Sequence, residues 1–193
     1  MNLSDLNTAH ETTLPAASTI WRIQRSRARS GSVAIGAIRL PPTGLMLGRF
    51  DLVTEPVGYF AETAETAIHE TLTRRETTGL PFKGIAARAI LCVQTKANLR
   101  LLDLRPHTTQ WPVLQALRYA ATQGLADTAR KAGFDGLVYH SAQQYDRDCY
   151  ALFGNALSKT KLVYRHPLVE PGTGNLHRAL VTAVTGSMVP VLP

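Results

Sequence analysis

Residues 134–153 read FDGLVYHSAQQYDRDCYALF. The stretch opens on a turn signal, runs through the short apolar strand 137–139, and stops at His140 and Ser141. Polar residues follow, and a second apolar run, Tyr150-Ala151-Leu152-Phe153, returns. Two short strands meeting across a polar tip read as a hairpin-like connection. Such a tip either closes a plain hairpin or presents Ser141 to a site. Successive strand side chains point to opposite faces, so His140 and Ser141 do not make a catalytic pair.

Working outward, residues 57–61 (VGYFA), 85–94 (IAARAILCVQ), 99–104 (LRLLDL) and 161–165 (KLVYR) read as further strands, and 19–25 (TIWRIQR) as the first. Residues 26–48, rich in Ser, Gly and Pro, read as a long loop. Thr63 is placed to cap a helix with Glu65 in its first turn. Ala64, Ala67, Ile68, Thr71 and Leu72 fall on one face of that helix, which fades at Gly79-Leu80-Pro81. A second helix is expected over 112–132, with Val113, Leu114, Leu117, Ala121, Leu125 and Ala129 on one side and Gly133 ending it. Strands with a few inserted helices, rather than strict alternation, predict an α+β fold with mixed or antiparallel sheets.

The chain has 193 residues, 45% of them apolar, which suits one compact domain with its own core. The division expected is a loose arm over 1–18, a principal domain over 19–166, and a tail over 167–193 that packs on the domain or on a partner. The tail carries a helix pattern, LHRALVTAVTG. No stretch approaches the roughly 18 apolar residues of a membrane span. The first residues lack the basic and apolar regions of a secretory signal, so the expected location is the cytoplasm. Cys92 and Cys149 stand in no paired motif and read as small buried residues.

Lys and Arg outnumber Asp and Glu by 21 to 14, a net charge of +7. That charge suits nucleic acid, an anionic substrate or an acidic partner. Arg22, Arg25, Arg27, Arg29 and Arg39 crowd the first forty residues. They are the best support for a basic nucleic-acid module, but no helix-turn-helix, zinc finger or aromatic RNA-binding motif accompanies them. His69-Glu70 lacks the second histidine of a zinc-protease helix. Gly44–Gly48 lacks the Lys-Ser/Thr of a phosphate loop, and no G-x-S-x-G elbow surrounds Ser141.

One ordered set remains. Trp21-Arg22-Ile23, Gly48-Arg49-Phe50, Tyr59, Ala67-Ile68-His69-Glu70, Asp135 to Ser141, and Leu152-Phe153 follow one another over residues 19–165. In that order and spacing the chain resembles a RES domain, a family named for an arginine, a glutamate and a serine. The family commonly has Trp and Asn where Phe50 and Asp51 stand, and Pro where His140 stands. The resemblance implies a fold similar to ADP-ribosyltransferase toxins. It also implies a bacterial toxin that cleaves the nicotinamide–ribose bond of NAD+, by hydrolysis or by phosphorolysis with inorganic phosphate as co-substrate. Transfer of ADP-ribose to a protein is the alternative.

The residue types suit this chemistry. Cleavage of an N-glycosidic bond builds positive charge on the ribose, which a carboxylate stabilises; Glu70 is the candidate. Arg22 and Arg49 offer planar donors to the diphosphate. Tyr59 offers an aromatic face to nicotinamide. Ser141 offers a neutral hydrogen bond to the nicotinamide end or the ribose. No resident cofactor or metal is expected. The resemblance further implies a helix-turn-helix antitoxin of the Xre type that blocks the site in an oligomeric complex, with no direct nucleic-acid binding by this chain.

Overall fold

The computed structural model describes residues 1–6, 8–116 and 119–193. Its twelve strands are β1 (His10–Leu14), β2 (Thr19–Arg25), β3 (Val33–Ile35), β4 (Ile38–Leu40), β5 (Val57–Ala61), β6 (Leu80–Pro81), β7 (Arg88–Thr95), β8 (Leu99–Asp103), β9 (Gly136–His140), β10 (Asp148–Phe153), β11 (Thr160–Pro167) and β12 (Val191–Leu192). Five α-helices accompany them: α1 (Ala64–Thr71), α2 (Phe82–Ala86), α3 (Tyr119–Lys131), α4 (Gly154–Ser158) and α5 (Arg178–Ser187). Eight strands form one sheet in the order β1-β8-β9-β10-β5-β2-β7-β11. The β8–β9 pair is parallel and the other pairs are antiparallel. The fold is α+β, with a mixed sheet, as the sequence predicts.

The sheet carries a core on each face. Leu137, Tyr139, Cys149, Ala151 and Phe153 alternate onto one face, beneath Ala67 and Ile68 of α1, Leu125 and Ala129 of α3, and Leu180 of α5. Val138, Leu152 and Phe60 point the other way, where Ile38 and Leu40 of the β3–β4 hairpin and Leu157 of α4 cover them. This period of two is the pleat itself. Val138 stands opposite Tyr150 and His140 opposite Asp148, so 134–153 is the antiparallel pair the sequence predicts.

Several expectations shift. The N-terminal residues are not a loose arm: β1 adds to the sheet edge against β8, and Leu6 and Leu14 are buried. The 26–48 segment contains the β3–β4 hairpin, tied to β2 where the Gln24 side chain accepts from Arg39 N–H and donates to the Ala37 carbonyl. Thr63 caps α1 by accepting from Thr66 N–H, but the helix stops at Thr71. Beyond it the Arg75 amide donates to the Gln143 side chain instead of to a helical carbonyl. The start of the expected 85–94 strand is taken by α2. The helix expected over 112–132 divides into a 3₁₀ turn, Pro112–Leu114, and α3; Leu117 lies outside the described residues. Gly133, at φ +85°, ends α3. The tail packs on the domain: α5 buries Ala179, Leu180 and Ala183, and β12 pairs with β6.

β2 and β5 are neighbours that pair through Trp21 opposite Ala61 and then part. The opening between them positions the site.

Candidate active site

Where β2 and β5 part, the Tyr59 carbonyl faces a side chain instead of a strand amide. Arg22 Nη1 donates to it at 2.9 Å, and Nη2 donates to the Arg39 carbonyl at 3.1 Å. Arg22 Nε is buried without a partner. Burial pushes this guanidinium down to about 10, because desolvation disfavours the charged form. A cation held this way favours an incoming anion.

The opening leads into a cavity of about 200 Å³ lined by Arg22, Arg49, Tyr59, Glu70, Trp21 and Tyr139, among others. Arg49 comes from the tight turn 48–51, which α3 holds. Thr122 Oγ1 donates to the Arg49 carbonyl at 2.5 Å, and Gln123 Nε2 donates to the Met46 and Gly48 carbonyls. Gly48 is required there, since a Cβ would lie 2.8 Å from the Tyr59 ring and collide with Asp51. The Arg49 guanidinium lies 5.9 Å from the centre of the Tyr139 ring, and its Nε is likewise buried and unpartnered.

Glu70 is carried by the last turn of α1. A carboxylate at a helix C-terminus is opposed by the dipole, and the 141–144 loop offsets this. Glu70 Oε1 accepts from Ser141 Oγ at 2.5 Å, from Ala142 N–H at 3.0 Å and from Gln143 N–H at 3.3 Å. All of these bonds fall on Oε1, and among the described residues none reaches Oε2, which is available to a ligand. Ser141 is in turn fixed, its oxygen accepting from the Gln143 and Gln144 amides. The loop is tied to α1 a second time by Thr66 Oγ1 donating to Gln144 Oε1 at 2.8 Å.

Residues 19–171 match the family model described as the RES domain. The chain belongs to the RES domain family. A chain of the crystal structure of the M. tuberculosis MbcT–MbcA toxin–antitoxin complex is similar in fold. Its TM-score is 0.58 at 15% identity, over 81% of this chain and 86% of that one. No protein of curated function matches the sequence.

In this RES domain, four of the five residues singled out from sequence, Arg22, Arg49, Tyr59 and Glu70, line one cavity. Ser141 does not. It is buried, and its hydroxyl is engaged by Glu70 and two loop amides. Its hydroxyl is bonded to the Glu70 carboxylate. Tyr59 is also constrained. Its hydroxyl donates to Asp51 Oδ1 and accepts from Phe50 N–H, both at 2.8 Å. Burial and the adjacent Asp51 carboxylate raise its pKa well above the usual phenol value. The ring face, not the hydroxyl, is what Tyr59 can offer. Asp51, with Oδ2 accepting from Gly48 N–H at 2.6 Å, is a structural member of the turn.

Sequence reasoning missed Trp21 and Tyr139 as cavity walls. Parity carries the signal for Tyr139, which shares the strand face of Ser141. Among the described residues no cluster of His, Cys, Asp and Glu could hold a metal ion, and no helix is long and apolar enough to cross a membrane.

Tyr59→Phe is expected to lower stability by about 1–3 kcal/mol, because it strips Asp51 Oδ1 and the Phe50 amide of a shared partner. The fall in Tm should be several degrees for a chain of this length. Thermal denaturation checks this; an unchanged Tm would mean that the turn does not depend on Tyr59.

Proposed function

We propose that this RES domain is the toxin of a toxin–antitoxin pair and that it depletes NAD+ by cleaving the nicotinamide–ribose bond. The observation that carries the reading is a carboxylate fixed through one oxygen and open at the other, in a cavity shared with two arginines that have no acidic partner among the described residues. The fold likeness to a chain of a toxin–antitoxin complex supports the biological role.

The chemistry follows from the residues. The diphosphate lies on the Arg22 and Arg49 guanidiniums, which line the cavity and whose planar N–H donors exceed the carbonyls they already brace. Nicotinamide packs on the Tyr59 ring, with Tyr139 and Trp21 as further aromatic walls that keep water from the leaving group. The ribose places a hydroxyl on Glu70 Oε2. As the bond between the ribose C1′ and the ring nitrogen breaks, its electron pair leaves with nicotinamide. The positive charge on the ribose then grows beside the Glu70 carboxylate. Water or phosphate attacks C1′, giving ADP-ribose or its 1-phosphate. Ser141 and the 142–143 amides hold the carboxylate in place, so it does not reorient as the charge develops.

Such an enzyme needs neutralising in its host. The partner we propose is a small Xre-type helix-turn-helix antitoxin that covers the cavity in an oligomeric complex, with the two proteins in the bacterial cytoplasm.

Ser141→Ala removes one of three donors to Oε1 and is expected to lower kcat about tenfold with little change in KM. The reaction itself is tested with NAD+ labelled in the adenine, incubated with partner-free protein with and without phosphate. Label in free ADP-ribose, or in its phosphate when phosphate is present, is the expected result. Label fixed to protein would establish the transferase instead. Intact NAD+ beside folded protein would overturn the reading.

A further inference from the structure

Arg22 stands where three cavities meet. The first holds Glu70 and Arg49. The second, of about 470 Å³, is lined by Asp51 and Glu55 as well as Glu70. The third is a groove of about 430 Å³ that shares Arg22 and Leu47 with the first, and its wall carries Arg25, Arg27, Arg29 and Arg39. No Asp or Glu lines it.

Arg100, Arg105 and Arg130 each pair with a carboxylate, of Glu11, Asp103 and Glu55 respectively. Among the described residues, none of the five groove arginines does. Among the described residues Arg49, Arg75, Arg88, Arg165 and Arg178 also lack a carboxylate partner, but this groove gathers five arginines in one lining. Arg88, opposite Arg25 across the β2–β7 pair, adds a further cation. Burial lowers its pKa, and repulsion from Arg25 and Arg29 lowers it further. Arg39 is anchored, donating to the Ser26 carbonyl, while Arg25, Arg27 and Arg29 are exposed. A self-repelling cluster beside a substrate cavity is relieved by a bound polyanion.

We propose that this groove takes a phosphate monoester on the adenosine half of the dinucleotide, so that the preferred substrate is NADP+ rather than NAD+. The inference rests on the dinucleotide reading above. With the reactive ribose at Glu70 and the diphosphate on Arg22 and Arg49, the adenosine half leaves the first cavity past Arg22. One way leads to a wall that includes carboxylates, the other to guanidiniums. A 2′-phosphate carries nearly two negative charges at neutral pH and three acceptor oxygens. The wall with carboxylates sets them against Arg22 and Arg74, whereas every charged residue of the second wall is cationic. The second wall matches the phosphate, and its arginine forks bind it in charge-assisted pairs.

The test is calorimetric titration of partner-free protein with adenosine 2′,5′-bisphosphate and with AMP, beside kcat/KM for NADP+ and NAD+. The bisphosphate is expected to bind at least about tenfold more tightly than AMP. In R25A/R29A the ratio of the two affinities should fall toward one. Equal affinities in the unaltered protein, or a preference that survives R25A/R29A, would overturn the proposal. So would a groove that takes a Glu-rich peptide but not the bisphosphate. Binding and turnover separate the two claims. Bisphosphate preference lost in R25A/R29A, with neither dinucleotide cleaved, supports the groove and overturns the reaction. Equal cleavage of both dinucleotides without bisphosphate preference supports the reaction and overturns the groove.

Discussion

Glu70→Gln is expected to reduce nicotinamide release from NAD+ by about a hundredfold or more, with the protein still folded. The amide has the shape of the carboxylate, and its oxygen can still accept from Ser141 and from the Ala142 and Gln143 amides. What disappears is the negative charge beside the developing cation. Because that charge matters most in the transition state, the loss should fall on kcat more than on KM. The substitution also removes an anion from the C-terminal turn of α1, which the helix dipole opposes, so stability should not suffer from that term. Single-turnover kinetics with circular dichroism on the same sample decide it. Activity within a few-fold of the unaltered protein would remove Glu70 from the reaction.

Arg22→Lys should be the second most damaging change, by a different route. Arg22 spends Nη1 and Nη2 bonds on the Tyr59 and Arg39 carbonyls and still has Nε unpartnered. A lysine ammonium is a point charge without that fork, and it cannot brace both carbonyls while reaching a diphosphate. Losing a charge-assisted contact of this kind corresponds to about 1.5–3 kcal/mol, or roughly a ten- to hundredfold rise in KM for NAD+. The charge itself is kept, so the loss should appear in binding before catalysis. A KM unchanged in Arg22→Lys would place the diphosphate elsewhere.

What the chain revealed before its structure depended on which residues carry periodic signals. The strands of 57–61 and 134–153 are continuous apolar runs bounded by polar tips, and both stand where the pattern puts them. Thr63 caps α1 because a short hydroxyl before an apolar face has one good use. The β3–β4 hairpin was not legible. Its strands are three residues long and lie in a Ser-, Gly- and Pro-rich stretch, and they are fixed by the Gln24 side chain reaching across from β2. The end of α1 was equally hidden, since the Arg75 amide is held by Gln143 from a loop some seventy residues away. In the site, Arg22, Arg49, Tyr59 and Glu70 were singled out by the ordered resemblance to the RES family, since taken one at a time none carries a specific signal, and they converge. The place of Ser141 was not readable. Spacing puts it at a strand tip, but only the folded chain shows that Glu70 takes its hydroxyl. The parting of β2 from β5, which opens the cavity, is a tertiary property with no local signature.

The most direct test is to incubate partner-free protein with NAD+ and to follow free nicotinamide by proton NMR beside the folded protein's own signals. The cavity of Arg22, Arg49, Tyr59 and Glu70 predicts nicotinamide accumulating in step with NAD+ loss, over many turnovers per protein molecule. NAD+ persisting unchanged beside folded, partner-free protein would contradict it.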